Sequence, residues 1–256
     1  MPGGALEGRV AVVTGASGGI GAAIAVELAR LGADVLVGYL RAGPGAPGPD
    51  AVLAGVRACG RRGVALEADL RLAASAALLF DAAEQELGPV SLLVNNATGW
   101  SLQDTFSGAD ADRFGRPLVA VGAESFDAHV AVDARGGALL IAELARRLPR
   151  DGAGGRIVSI SSGGPGGFPS EVSYGAAKAA LEHLTMSAAA ELAPLGVTAN
   201  VVLPPITDTG WVTDAVRHAA AAAGQRVAEP AEVARVVGWL CTDAARLVTG
   251  NRIRLQ

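Results

Sequence analysis

The stretch Val10-Ala11-Val12-Val13-Thr14-Gly15-Ala16-Ser17-Gly18-Gly19-Ile20-Gly21 runs from four apolar residues, through a glycine-rich turn, into an amphipathic pattern. Residues 10–13 read as a buried strand, and 20–31 as a helix that Gly32 stops. Glycines let a backbone turn sharply and come close to a pyrophosphate. The helix N-terminus behind them offers unpaired N–H groups and the positive end of its dipole. A glycine cluster alone is weak evidence; placed between a first strand and a first helix, it points to a nucleotide.

Outward from this turn, short apolar runs alternate with helical patterns. Further strands are expected at 34–38, 64–67, 91–94, 157–160 and 197–202, and helices near 73–87, 125–148, 174–192 and 230–240. Such alternation implies βαβ units and a mostly parallel sheet, the α/β class. No shift in composition marks a second domain, and no repeat of fixed period stands out. Residues 42–49 are rich in Gly and Pro and read as an irregular loop. Residues 98–122 form a long mixed segment carrying Trp100, Phe106 and Phe114, the kind of loop that is usually functional or disordered.

Bulk properties narrow the function. The chain has 256 residues, half of them hydrophobic and 18% charged, which argues against disorder. A net charge of -4 with mixed signs gives no electrostatic case for nucleic acid or an anionic membrane. Cys59 and Cys241 match no metal spacing and no disulfide framework. Residues 1–9 are no signal peptide, and no apolar run reaches membrane-spanning length, so the cytoplasm is the expected compartment.

The spacing Thr14-Gly15-x-x-x-Gly19-x-Gly21 resembles the glycine motif of the short-chain dehydrogenase/reductase family, and other landmarks follow in order. Asp69, after the third strand, sits where that family has its adenine-contacting Asp. Asn95-Asn96-Ala97-Thr98 resembles Asn-Asn-Ala-Gly, Tyr174-Gly175-Ala176-Ala177-Lys178 resembles Tyr-x-x-x-Lys, and residues 200–209 resemble the segment after the sixth strand. The resemblance covers nearly the whole chain. It implies a single-domain, Rossmann-like, doubly wound parallel sheet with helices on both faces over residues 1–256, with substrate-loop segments near 98–122 and 204–224. It also implies homo-oligomers through the helices from Ser125 and Tyr174. The family usually runs on past its last strand with Asp-Gly-Gly, whereas this chain stops at Gln256, which puts tetramer geometry in question.

Tyr174 and Lys178 are four apart at a helix start and share a face. A free phenol ionises only near pH ~10. A neighbouring ammonium stabilises the phenolate. Such a pair can protonate a carbonyl oxygen, or take the proton in reverse. The resemblance adds a Ser at the end of the fifth strand; matching Ile160-Ser161-Ser162 selects Ser162, with Ser161 as the fallback. It also places an Asn where this chain has Asp133. A carboxylate accepts but cannot donate. Asp133 could therefore accept from a relay water or pair with Lys178 directly, and His129, one turn earlier, could join the relay or be an ordinary helix residue.

For the cofactor, the resemblance implies contacts from Gly15, Ser17, Gly19, Ile20, Gly21, Asp69, Asn95, Ala97, Tyr174, Lys178, Pro204, Thr207 and Thr209. No acidic residue ends the second strand, and Arg41 suits a 2′-phosphate, so NADP(H) is favoured over NAD(H). Pro205 replaces a Gly of the family and removes a backbone N–H. Trp100, Phe168 and Trp211 are candidates for an apolar wall, whereas Trp239, in an amphipathic helix, reads as core. The expected activity is hydride transfer between NADP(H) and a small carbonyl or alcohol, favouring an apolar ketone, with no metal. The alternatives are non-redox acid–base chemistry on the same fold and a nucleotide-sensing binding protein.

Overall fold

The computed structural model describes residues 4–41, 47–99, 103–149, 154–163 and 167–256. Its centre is a seven-stranded sheet built from β1 (Val10–Thr14), β2 (Asp34–Tyr39), β3 (Gly63–Glu67), β4 (Val90–Asn95), β7 (Arg156–Ile160), β8 (Thr198–Leu203) and β9 (Arg252–Arg254). The spatial order is β3-β2-β1-β4-β7-β8-β9 and every pairing is parallel. The six strands read from sequence are all present. Between β5 (Gln103–Thr105) and β6 (Leu118–Ala120) runs a second, two-stranded parallel sheet inside the segment expected to be a loop.

The sheet is apolar on both faces, as a parallel sheet covered by helices must be. Along β1 the side chains alternate between two cores. Ala11 and Val13 pack with α1 (Gly19–Arg30), α2 (Asp50–Ala58) and α8 (Pro230–Cys241). Val10 and Val12 pack with α3 (Ser75–Glu86), α5 (Gly137–Arg147) and α6 (Val172–Glu191). The chain winds one way from β1 to β3 and the other way from β4 onward, so the crevice between the carboxyl ends of β1 and β4 is where such a sheet takes its ligand.

Besides the β5–β6 sheet and β9, the structure departs from the sequence reading in its helices and at Trp239. The helix expected over 125–148 is α4 (Ala123–His129) and α5 joined by a π-helical stretch, Val130–Gly136, which carries Asp133. α2 and α7 (Asp214–Ala222) were not anticipated. Trp239 is not core but 45% exposed. It follows Glu232 and Arg235 on the polar stripe of α8, while Val233, Val237, Leu240 and Cys241 take the buried one. Trp100 and the stretch 42–46 lie outside the described residues.

Candidate active site

The glycine turn is locked to the end of β4. Gly15 and Gly19 have φ of 63° and 54°, the left-handed region that suits glycine. A Cβ on Gly15 would lie 2.9 Å from the Ala97 Cα, and one on Gly21 would lie 2.3 Å from the Gly15 carbonyl oxygen. Asn96 Nδ2 donates to the carbonyls of Thr14 (2.9 Å) and Gly15 (3.1 Å). The amides of Asn96 and Ala97 donate to Thr14 Oγ1, each at 3.1 Å. Asn96 was in the quoted motif but was not singled out; it is the residue that braces the turn. Asn95 points inward, and its Nδ2 donates to Ser159 Oγ at 3.4 Å.

Ala22 N–H donating to Gly18 is the first bond of α1. The N–H groups of Gly19, Ile20 and Gly21 therefore precede the helical ladder, beside Ser17 in the turn. The backbone there has no room for side chains, and the helix end presents donors to an anion, so the residues fit a dinucleotide pyrophosphate. Thr209 lies over this helix end, its Cγ2 3.0 Å from where a Cβ on Gly19 would be. Thr207 bridges to Ala228, and its Oγ1 donates to the Pro205 carbonyl at 2.9 Å. The segment after Pro204 is thus pinned despite losing the Pro205 N–H. Arg41 is exposed; its amide donates to Glu67 Oε1 at 3.1 Å, and its guanidinium passes over Gly48, just ahead of α2. Arg71 grips the Asp69 carboxylate through its amide and guanidinium and holds that carboxyl below the usual carboxylate range.

Tyr174 and Lys178 project from the first turns of α6. The Tyr174 ring meets His129 and Phe168 edge-on, with centroids 5.9 and 5.7 Å away. Lys178 Nζ lies 5.6 Å from the Tyr174 ring centroid and donates to the Ile160 carbonyl at 3.0 Å. Of the two roles open to Asp133, the structure has the direct pair: Lys178 Nζ is 2.8 Å from Asp133 Oδ1 and both side chains are buried. The other oxygen, Oδ2, accepts from the Gly99 amide (2.7 Å) and Thr98 Oγ1 (3.1 Å). Burial alone would depress the Lys178 ammonium, but the Asp133 carboxylate, which both attracts it and accepts its hydrogen bond, outweighs that and raises the pKa.

β7 ends at Ile160, so both serines lie just beyond the strand whose alternation was expected to separate them. Ser161 donates to Glu182 Oε1 at 2.5 Å, and Glu182 is itself on the wall of the cleft that Ser162 lines. Ser162 lines a cleft of about 700 Å³ with Phe106, Phe168, Pro169, Val172 and Leu203 as apolar neighbours and Glu182, Arg252 and Arg254 as charged ones; Tyr174 and Lys178 do not line it, and Phe168, edge-on against Tyr174, connects the two. Phe168 thus joins an apolar wall as expected, Phe106 joins it unanticipated, and Trp211 is 44% exposed. Among the described residues no group of three His, Cys, Asp or Glu could hold a metal, and no helix is long and apolar enough to cross a membrane.

Burial is the main cause of a lowered His129 pKa, ahead of the opposing pull of Asp133 and Asp104. A depressed histidine contributes stability that is present above its unfolded value of about 6.5 and is lost as pH falls through the lower folded-state value. Thermal melts across this acid range will show a decline that is shallower in His129→Gln. Parallel curves for the two proteins would refute the assignment.

A model of the short chain dehydrogenase family matches residues 9–220. The cis-4-hydroxycyclohexanecarboxylate dehydrogenase of Sinomonas cyclohexanicum is 37% identical over 248 residues, which cover 94% of this chain and 92% of that protein. An NADPH-dependent aldehyde reductase-like chloroplastic protein of Arabidopsis thaliana is 34% identical over 262 residues, covering 97% and 93%. The crystal structure of the angucycline C-6 ketoreductase LanV with bound NADP superposes with a TM-score of 0.82 at 31% identity, covering 98% of this chain and 95% of that one.

Proposed function

The chain belongs to the short-chain dehydrogenase family and is a dehydrogenase/reductase, and from that premise we propose that it reduces an apolar ketone to a secondary alcohol with NADPH. The observation that carries this reading is the buried Lys178 ammonium beneath the Tyr174 ring, fixed by Asp133 and the Ile160 carbonyl. The whole chain acts as one nicotinamide-binding domain.

A bound reduced nicotinamide supplies the hydride. The amides of Gly19, Ile20 and Gly21 would hold the pyrophosphate, with Thr209 alongside. Ser162 donates a hydrogen bond to the substrate carbonyl, and the Tyr174 hydroxyl passes its proton to that oxygen. Lys178, charged and fixed by Asp133 and the Ile160 carbonyl, stabilises the phenolate left behind. Thr207, near Pro204, would meet the carboxamide end.

The preference for NADPH rests on Arg41 over Gly48 and on the lack of an acidic residue ending β2; the LanV structure with NADP and the NADPH-dependent relative point the same way. Phe168, which packs edge-on against Tyr174 and lines the cleft with Phe106 and Leu203, supports a hydrophobic carbonyl compound. The reading includes a cytoplasmic homo-oligomer: β9 ends the sheet, and Trp239 on α8 and Leu247 after it are exposed.

Two measurements test it. The protein, titrated with NADPH and NADH by tryptophan fluorescence, binds NADPH more tightly. Arg41→Ala weakens NADPH by roughly ten- to a hundred-fold, the worth of charge-assisted hydrogen bonds, and leaves NADH unchanged. Equal losses for both would remove Arg41 from the phosphate site. Cyclohexanone, acetophenone and benzaldehyde are then offered with NADPH, and consumption of nicotinamide absorbance is expected with at least one. Product without nicotinamide consumption would favour acid–base chemistry instead.

A further inference from the structure

Among the described residues the reaction leaves two buried carboxylates without a role: Asp34, which pairs with Arg61 and Arg62, and Asp104. Asp104, on β5, is 1% exposed. Its oxygens are committed to two other elements. The Ser173 amide donates to Oδ1 at 2.9 Å, Ser125 Oγ donates to Oδ2 at 2.8 Å, and the Ser173 hydroxyl also bonds Oδ2. Ser173 is the second residue of α6 and directly precedes Tyr174.

The first N–H groups of a helix have no partner inside it, and its first turn frays unless something outside caps it. Glu171, at the N-cap of α6, makes no side-chain bond to the turn. The cap comes instead from Asp104, 69 residues earlier in the chain. A negative charge at that helix end also suits the dipole. Burial alone would push the Asp104 carboxyl up, but the donors on Ser173 and Ser125 outweigh it and hold it below the usual carboxylate range. Glu171 is spent on the same segment from the other side: Gln103 Nε2 donates to its Oε1 at 2.8 Å, and Arg116 reaches it at 3.4 Å. Ser125 brings in α4, whose His129 packs edge-on against Tyr174.

We propose that Asp104 is a positioning residue for Tyr174, clamping the first turn of α6 to the β5–β6 segment so that placing the phenol and ordering the cleft wall are one event. The proposal rests on the reading of Tyr174 as proton donor. Asp104 touches neither substrate nor cofactor and acts through Ser173.

The test compares wild type, Asp104→Ala and Asp104→Asn, using NADPH and the three carbonyl probes above. Alanine removes the cap, and its expected effect is a kcat lowered about a hundred-fold, the scale of an ångström of misplacement, with NADPH affinity within about twofold of wild type. Hydrogen exchange of the amides around 173–177 rises about tenfold in the alanine variant, while β1 and β4 stay protected. Asparagine keeps an acceptor for the Ser173 amide and offers N–H donors to the two hydroxyls, so it restores both kcat and protection. Unchanged kcat or unchanged exchange in Asp104→Ala overturns the proposal, as does deprotection spread across β1 and β4. If wild type reduces none of the probes, the functional reading falls while the clamp is still decided by exchange: local deprotection upholds it and wild-type protection overturns it.

Discussion

Tyr174→Phe lowers kcat for carbonyl reduction by roughly a thousand-fold, within the range that a positioned general acid contributes. The substitution deletes one oxygen and keeps the ring, so the edge-on contacts with His129 and Phe168 survive. The glycine turn is braced by Asn96 and Thr14, away from the phenol, and NADPH binding therefore stays at the wild-type level. Steady-state kinetics and a fluorescence titration on the same preparation separate the two effects. A variant that keeps even about a tenth of wild-type turnover would remove Tyr174 from the proton transfer. A variant that loses NADPH binding along with turnover would mean that the Tyr174 hydroxyl supports the nucleotide and not the chemistry alone.

The second large effect is on stability. Asp133→Ala strips a buried ammonium of its counterion and takes the acceptor from the Gly99 amide and the Thr98 hydroxyl. Breaking a buried pair from one side costs about 3–5 kcal/mol. For a chain of this length that lowers Tm by about 10 °C or more. The Lys178 pKa is raised, so the pair's contribution from that side is fully present below the ordinary lysine value. It is lost only as pH climbs through the higher folded-state value. The gap in Tm between wild type and variant should therefore hold through neutral pH. The double variant Lys178→Met/Asp133→Leu replaces the pair with apolar groups of similar bulk and recovers most of the stability. It recovers no turnover, because the charge beneath Tyr174 is gone. Asp133→Ala melting within a degree or two of wild type would show that the pair carries little of the fold's stability.

Asp133 also illustrates how far a sequence can be read. Its position opposite Lys178 followed from the order of motifs along the chain. Whether it took a water or the ammonium did not, because that depends on the π-helical stretch Val130–Gly136, which sets the reach of its side chain. Apolar periodicity runs through such a stretch without marking it. The serines split the same way. Alternation was expected to separate Ser161 from Ser162, but β7 stops at Ile160, and only the tertiary structure supplied Glu182 as the partner that holds Ser161.

Local pattern by itself determined the glycine turn, the six central strands, the helices α1, α3, α6 and α8 and the Tyr-x-x-x-Lys face, because each is written within a score of neighbouring residues; it missed α2 and α7. Apolar runs, turn glycines and helical spacing are short-range signals. Tertiary structure alone decided the Lys178–Asp133 pair, the bracing by Asn96, the exposure of Trp239 and the capping of α6 by Asp104. In the sequence Asp104 is one acid among several in a polar segment, no different in kind from Asp110 or Asp112. What distinguishes it is that folding brings β5 against the start of α6, where a buried carboxylate is stable only because Ser173 and Ser125 are there to bond it.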